Sequence, residues 1–235
     1  MTDLRAGKIT LEDVCKSYKT KTGWNHVLKD VNIEIESTDR LGILGRNGAG
    51  KSTLMRIIGG SELPDTGRID RQISVSWPVG FSGHLQPSMS GIANIKFCAR
   101  IYGKPVDDVI EAVAEFSELG RYLHEPFKTY SSGMKARLGF ALSMAIEFDC
   151  LLIDEVTAVG DAAFRRKCDD ALNNLSENKA FVLINHGLAA IDRLCNRVLV
   201  LGVEETPFLS TRVHKTIKAY EKALKGEGWK RPEPA

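Results

Sequence analysis

The sequence predicts an α/β fold with a mainly parallel sheet core, an antiparallel β lobe ahead of it and a helical lobe inserted between its strands. Three observations carry this. Apolar residues alternate with a period of two through the first seventy residues; the period lengthens to helical spacing from about Ser90; and from Cys150 onward short apolar runs alternate with helical segments.

The elements follow in order. Ile9, Leu11 and Val14 mark a first strand, and Val27-Leu28 with Val31, Ile33 and Ile35 a second. Leu41-Gly42-Ile43-Leu44 reads as a short buried strand, and Leu54, Ile57 and Ile58 share one face of the helix that follows. After the turn Pro64-Asp65-Thr66-Gly67, Ile69 and then Ile73 and Val75 resume strand alternation. Ile92, Ile95, Ala99 and Tyr102 form a helical stripe, as do Val106, Val109, Val113 and Phe116 behind Pro105 and the acidic pair Asp107-Asp108, a helix-start signature. Leu138, Leu142 and Ala145 line a helix over 133–146, ahead of the strand Cys150-Leu151-Leu152-Ile153. A helix from about Phe164 to Leu175, a strand over 181–184, another helix and a strand over 198–201 then repeat the order expected of a parallel sheet. Val213, Ile217, Tyr220 and Leu224 place an amphipathic helix near the C-terminus. A single domain over 1–225 is expected, with β lobe and core at about 1–86 and 146–212, the helical lobe at about 87–145 and the last helix at about 213–225. The Gly-, Pro- and charge-rich 226–235 should be a flexible tail.

Composition excludes more than it identifies. A length of 235 residues suits one nucleotide-sized domain. A formal net charge of +2 with 26% charged residues gives no reason to expect a nucleic-acid partner. The longest apolar runs, such as 140–146, fall far short of the roughly 18 residues of a membrane span, and 1–5 lack the apolar core of a signal peptide. Five widely spaced cysteines in apolar or helical surroundings suit reduced thiols rather than a disulfide framework or metal pairs.

Between the strand at 41–44 and its helix stands Gly45-Arg46-Asn47-Gly48-Ala49-Gly50-Lys51-Ser52, a match to G-x-x-x-x-G-K-[ST]. Glycines at 45, 48 and 50 let the backbone turn its N–H groups toward a polyanion at the positive end of the helix. Lys51 would reach the β- and γ-phosphates and Ser52 would ligate Mg²⁺, with Thr53 completing the loop. The chain should therefore bind a nucleoside triphosphate in a P-loop NTPase fold. The strand 151–153 ends in Asp154-Glu155, two carboxylates delivered to the sheet edge. Asp154 would hold Mg²⁺, and Glu155 would polarise the water that attacks the γ-phosphorus.

Just ahead of that strand, Tyr130-Ser131-Ser132-Gly133-Met134 opens a helix and resembles a degenerate LSGGQ signature of the ABC ATPases, with Tyr130, Ser132 and Met134 in place of the usual Leu, Gly and Gln. The resemblance implies the ABC ATPase form of the P-loop fold. It also implies that Ser131, Ser132 and Gly133 bind the ATP held by a second copy. Further elements stand in the superfamily's order: Tyr18 as the aromatic that stacks on adenine, Asp161 in the D-loop Ala158-Val159-Gly160-Asp161, and His186 as the switch histidine that senses the γ-phosphate. The Q-loop glutamine would fall near Phe81, where none stands. Either Gln86 reaches Mg²⁺ from a shifted loop, or that ligand is missing and the loop contacts a partner.

Within the superfamily the chain is similar to ATPase subunits of polysaccharide exporters, especially the capsular type, on the strength of 76–83, 129–135 and 154–161. That similarity implies an ATP- and Mg²⁺-dependent homodimer below transmembrane permease subunits on the cytoplasmic face of a Gram-negative inner membrane, with periplasmic and outer-membrane export components as further partners. O-antigen and teichoic-acid-like polymers are the alternative cargoes. A soluble ABC ATPase without transport is the competing class, but the chain has one P-loop and no sustained heptads.

Overall fold

The computed structural model describes residues 7–79, 85–154, 162–175, 179–185 and 187–232. An antiparallel sheet comes first: β1 (Lys8–Thr20) pairs with β2 (Gly23–Glu36) on one side and β4 (Thr66–Arg71) on the other. The second sheet contains β3 (Arg40–Gly45), β5 (Val75–Val79), β6 (Cys150–Asp154), β7 (Ala180–Ile184), β8 (Arg197–Leu201) and β9 (Phe208–Ser210) in the spatial order β5-β6-β7-β3-β8-β9. All its pairings are parallel except that of β9, an antiparallel edge. Only three half-buried residues long, β9 has too little periodicity to be read from sequence. The other expected strands and helices are present, and the expected fold class stands.

Side-chain alternation explains the layering, because neighbouring strand residues point to opposite faces. Leu41, Ile43, Leu152, Val182, Ile184, Leu199 and Leu201 face one buried cluster. Leu44, Leu151, Ile153, Phe181, Leu183, Val198 and Val200 face another. Into the first cluster go Leu54, Met55, Ile57 and Ile58 of α1 (Lys51–Ile58) together with Ile9, Leu11, Val31, Ile33 and Ile35 of the antiparallel sheet. The helix after β3 is thus buried between two sheets.

The second cluster holds the helical lobe: α2 (Gly91–Ile101), α3 (Val106–Ser117) and α4 (Ser132–Ala145). It also takes in α5 (Ala162–Asn173), α6 (Leu188–Leu194) and α7 (Val213–Leu224). Phe116 stacks on Phe140 at 5.3 Å between ring centroids and meets Phe164 edge-on at 5.9 Å, which joins lobe to core. Burial pushes the thiols of Cys150, Cys168 and Cys195 up to about 12 and that of Cys98 up to about 11, so these four behave as small apolar side chains rather than nucleophiles.

Two expectations near the C-terminus need correction. Leu224, counted on the apolar stripe of α7, is 49% exposed; the buried face comprises Val213, Thr216, Ile217 and Tyr220. The tail from Gly226 is also not free of contacts as far as Pro232. Trp229 meets Phe208 edge-on at 5.6 Å and donates through Nε1 to Glu204 at 2.7 Å, and Arg231 pairs with the same carboxylate. Its composition suggested fraying; one tryptophan and a carboxylate 25 residues upstream anchor it instead.

Candidate nucleotide site

β3 ends at Gly45 and α1 begins at Lys51, so residues 46–50 form the loop between them. The Ala49 amide donates to the Arg46 carbonyl at 3.0 Å, closing a turn, while Gly48 (φ +84°) and Gly50 (φ +95°) adopt left-handed backbone. Gly50 cannot be replaced cheaply. A Cβ there would lie 2.8 Å from the Val27 carbonyl oxygen and 2.8 Å from Leu28, whereas a Cβ on Gly48 meets nothing within 4 Å. Left-handed backbone costs a non-glycine residue about 1–3 kcal/mol, and Gly50→Ala adds the clash to it. Gly50→Ala should therefore lower the urea-unfolding free energy by about 2 kcal/mol or more, clearly beyond Gly48→Ala. Equal losses would show that the contact with β2 carries no weight.

Lys51 folds back over its own loop, donating to the Gly45 carbonyl at 2.8 Å and the Arg46 carbonyl at 3.2 Å. Phosphate oxygens would exchange these neutral acceptors for charged ones, the stronger pairing. Ser52 is exposed on the first turn of α1, and Thr53 is buried.

Tyr18 lies beside this helix near the end of β1. Its hydroxyl donates to Glu62 at 2.6 Å and lies 3.3 Å from the Thr53 hydroxyl, and Arg56 donates to both the Tyr18 hydroxyl and Thr53 at 3.2 Å. Burial would push the Glu62 carboxyl up, but hydrogen bonds from Tyr18 and Arg56 outweigh it and hold the group below the usual carboxylate range. Glu62 and Arg56 carry no motif, and sequence reasoning missed them; their only signal was two opposite charges six residues apart around the end of the P-loop helix.

Sheet register places the carboxylate strand. Ile43 of β3 pairs with Ile184 of β7, and Ile184 with Asp154 of β6. Asp154 thus sits level with Ile43, close to the end of the P-loop strand, two strands away and roughly 10 Å across the sheet. Hard oxygen donors such as the Ser52 hydroxyl and the Asp154 carboxylate suit Mg²⁺, which keeps water and substrate phosphate in most of its coordination positions. Among the described residues no three His, Cys, Asp or Glu side chains gather as a metal cage.

Ser131 caps α4, its hydroxyl accepting the Met134 amide at 3.2 Å; Ser131 and Ser132 are exposed, and Gly133 lies half-buried in the first turn. Tyr130 is a packing residue, 4% exposed, with its hydroxyl donating to the Tyr122 carbonyl at 2.5 Å. The signature helix therefore presents a capped N-terminus outward from a firmly packed lobe. Gln86 is held through its backbone, donating to and accepting from the buried Asn94 at 2.8 and 3.1 Å, with its own residue exposed. None of the described contacts joins its side chain to Ser52 or Asp154. Glu155, Asp161, His186 and Phe81 lie outside the described residues.

One contributor was visible in sequence only as an apolar stripe. Tyr220 of α7 is 4% exposed, and its hydroxyl faces the Gly45 backbone and Arg46. Burial raises this phenol above its ordinary pKa although both neighbours favour ionisation. The last helix of the domain thus packs against the first residue of the phosphate loop.

The family model for ABC transporters matches residues 28–158, from β2 through the phosphate loop and the helical lobe to just past the Asp154 strand. The chain belongs to the ABC transporter family. This ABC chain is 51% identical over 193 residues, covering 82% of its length and 89% of the relative's, to the capsule polysaccharide export ATP-binding protein CtrD of Neisseria meningitidis serogroup B. It is 48% identical over 194 residues, 82% of the chain and 87% of the relative, to the polysialic acid transport ATP-binding protein KpsT of Escherichia coli. Among solved structures, the dimeric post-hydrolysis ATP-binding cassette MJ0796 with ADP and Pi superposes with a TM-score of 0.71 at 22% identity, covering 82% of this chain and 94% of that one. At that identity the likeness establishes the ABC cassette fold.

Proposed function

We infer that this chain is the ATP-hydrolysing subunit of an ABC exporter that moves capsular polysaccharide across the inner membrane of a Gram-negative bacterium. The observation that carries the inference is 51% identity to a capsule export ATP-binding protein over 82% of the chain. Among the described residues no helix is long and apolar enough to cross a membrane, and the proposal places the translocation path in a separate permease. The chain would then sit against that permease on the cytoplasmic face, with periplasmic and outer-membrane components beyond it.

The proposed cycle uses two copies. The loop 45–53 of one copy holds ATP through backbone N–H groups and Lys51, with Tyr18 against the base. Ser131, Ser132 and Gly133 of the second copy offer a helix N-terminus to the same phosphates, which then act as a removable clamp between like surfaces. The exposure of Ser131 and Ser132 at the start of a 14-residue helix supports this role. Glu155 takes up the proton of the attacking water, His186 holds that water, and Asp161 contacts the facing copy. Ser52 and Asp154 would hold Mg²⁺, which supplies charge neutralisation at the phosphates.

Salt-resistant recovery of the chain in the membrane fraction only when its permease is co-expressed is the expected result. Membrane association that ignores the permease, or none in its presence, counts against the exporter assignment.

A further inference from the structure

The outer face of α7 carries an unusual concentration of cations. Lys215, Lys218 and Lys222 recur at helical spacing on the side opposite the buried Tyr220, and none of the three has a carboxylate within ion-pair distance among the described residues. A row of lysines on one helix face is ordinarily a solvated surface. Here the chain builds a second wall against it.

Gly226 (φ +88°) and Gly228 (φ +78°) are left-handed and turn the backbone away from the end of α7. The Gly226 and Glu227 amides donate to the Ala223 and Lys222 carbonyls at 3.2 and 3.1 Å, capping the helix and offsetting the negative end of its dipole. Trp229 and Arg231 then converge on Glu204, their donors 2.7 and 2.6 Å from the same carboxylate oxygen, which fixes the returning segment. Between helix and segment lies a cavity of about 300 Å³ lined by Lys215, Lys218, Lys222, Glu227, Gly228 and Lys230. Four lysines and one glutamate thus line it.

We propose that this cavity is a binding site for a small phosphate-bearing anion, distinct from the phosphate loop. Ammonium groups are compact point charges with freely turning donors, suited to the spherical charge of phosphate where an arginine fork would favour a planar partner. The volume lies at the lower end of small-ligand sites and accommodates two or three phosphates. Such an anion could be a free polyphosphate or the exposed headgroup of an acidic lipid.

The test uses the purified full-length chain with its P-loop saturated by a non-hydrolysable ATP analogue. Tripolyphosphate is titrated calorimetrically, and in parallel the protein is floated with vesicles of phosphatidylcholine alone or with added phosphatidylglycerol. Binding in either arm is expected to fall roughly tenfold or more in the double variant Lys218→Glu/Lys222→Glu, while that variant keeps wild-type affinity for the ATP analogue. Trp229→Ala, which releases the returning wall without altering the charge of α7, should weaken the same binding by a smaller factor. Tripolyphosphate binding identifies a soluble anion, and binding confined to phosphatidylglycerol vesicles a lipid headgroup; both support the site. No binding in either arm, binding indifferent to the lysine reversals, or lysine-dependent binding untouched by Trp229→Ala overturns it, the last because a diffuse charged face would then suffice.

Discussion

Lys51→Ala should leave a folded protein that binds ATP roughly ten- to a hundredfold more weakly, and its hydrolysis should drop by at least about a hundredfold. Among the described residues the ammonium donates only to the Gly45 and Arg46 carbonyls of its own loop, so its removal takes no described contact from either core cluster. Its loss would fall instead on the charge-assisted bonds proposed to the β- and γ-phosphates, which are stronger than neutral ones. Lys51→Arg should rescue poorly, since a planar guanidinium cannot pack into a loop shaped around a single nitrogen. Titration with a fluorescent ATP analogue measures affinity and phosphate release measures turnover. Hydrolysis at the wild-type rate in Lys51→Ala would remove the lysine from the site.

The second large effect separates binding from chemistry. Glu155→Gln should bind ATP with undiminished affinity, accumulate as an ATP-dependent dimer on size-exclusion chromatography, and turn over about 10²- to 10⁴-fold more slowly, the usual contribution of a general base. Glutamine keeps the shape and hydrogen-bonding reach of the side chain but cannot accept the water's proton. Asp154→Asn should act differently: with Asp154 proposed to hold Mg²⁺ at the end of β6, beside the P-loop strand, it should weaken Mg²⁺-dependent binding itself. A Glu155→Gln protein that hydrolyses ATP normally would show that another group takes the proton, and one that fails to dimerise would undermine the two-copy clamp.

Much of this site was legible because it is local. The phosphate loop is a contiguous run between a strand and a helix, and Gly48 and Gly50 take the left-handed backbone expected of its glycines; Gly45, expected to do the same, does not, and is hemmed in instead by Ala49 and the Leu201 carbonyl. The N-cap role of Ser131 follows in the same way from a hydroxyl residue three positions ahead of the amide it accepts. Uninterrupted apolar runs at 41–44, 151–153, 181–184 and 198–201 likewise announced strands buried on both faces.

Contacts between residues distant in sequence were hidden from it. Alternation names a strand but not its neighbours, so nothing in the chain showed that β7 lies between the P-loop strand and the Asp154 strand. Tyr18, Thr53, Arg56 and Glu62 meet only when the antiparallel sheet closes over α1, and Tyr220 reaches Gly45 only because α7 packs back across the core. The tail from Gly226 looked too polar to order, since composition does not reveal that Glu204 waits for Trp229 and Arg231. Short-range order thus specified the phosphate loop, the helix caps and the alternating strands, because backbone sterics and local hydrogen bonds act within a few residues. Strand order, the bracing of the loop by Tyr18 and Tyr220, and the lysine-lined cavity beside α7 were decided only by packing, which brings together groups whose separation along the chain carries no trace of their meeting.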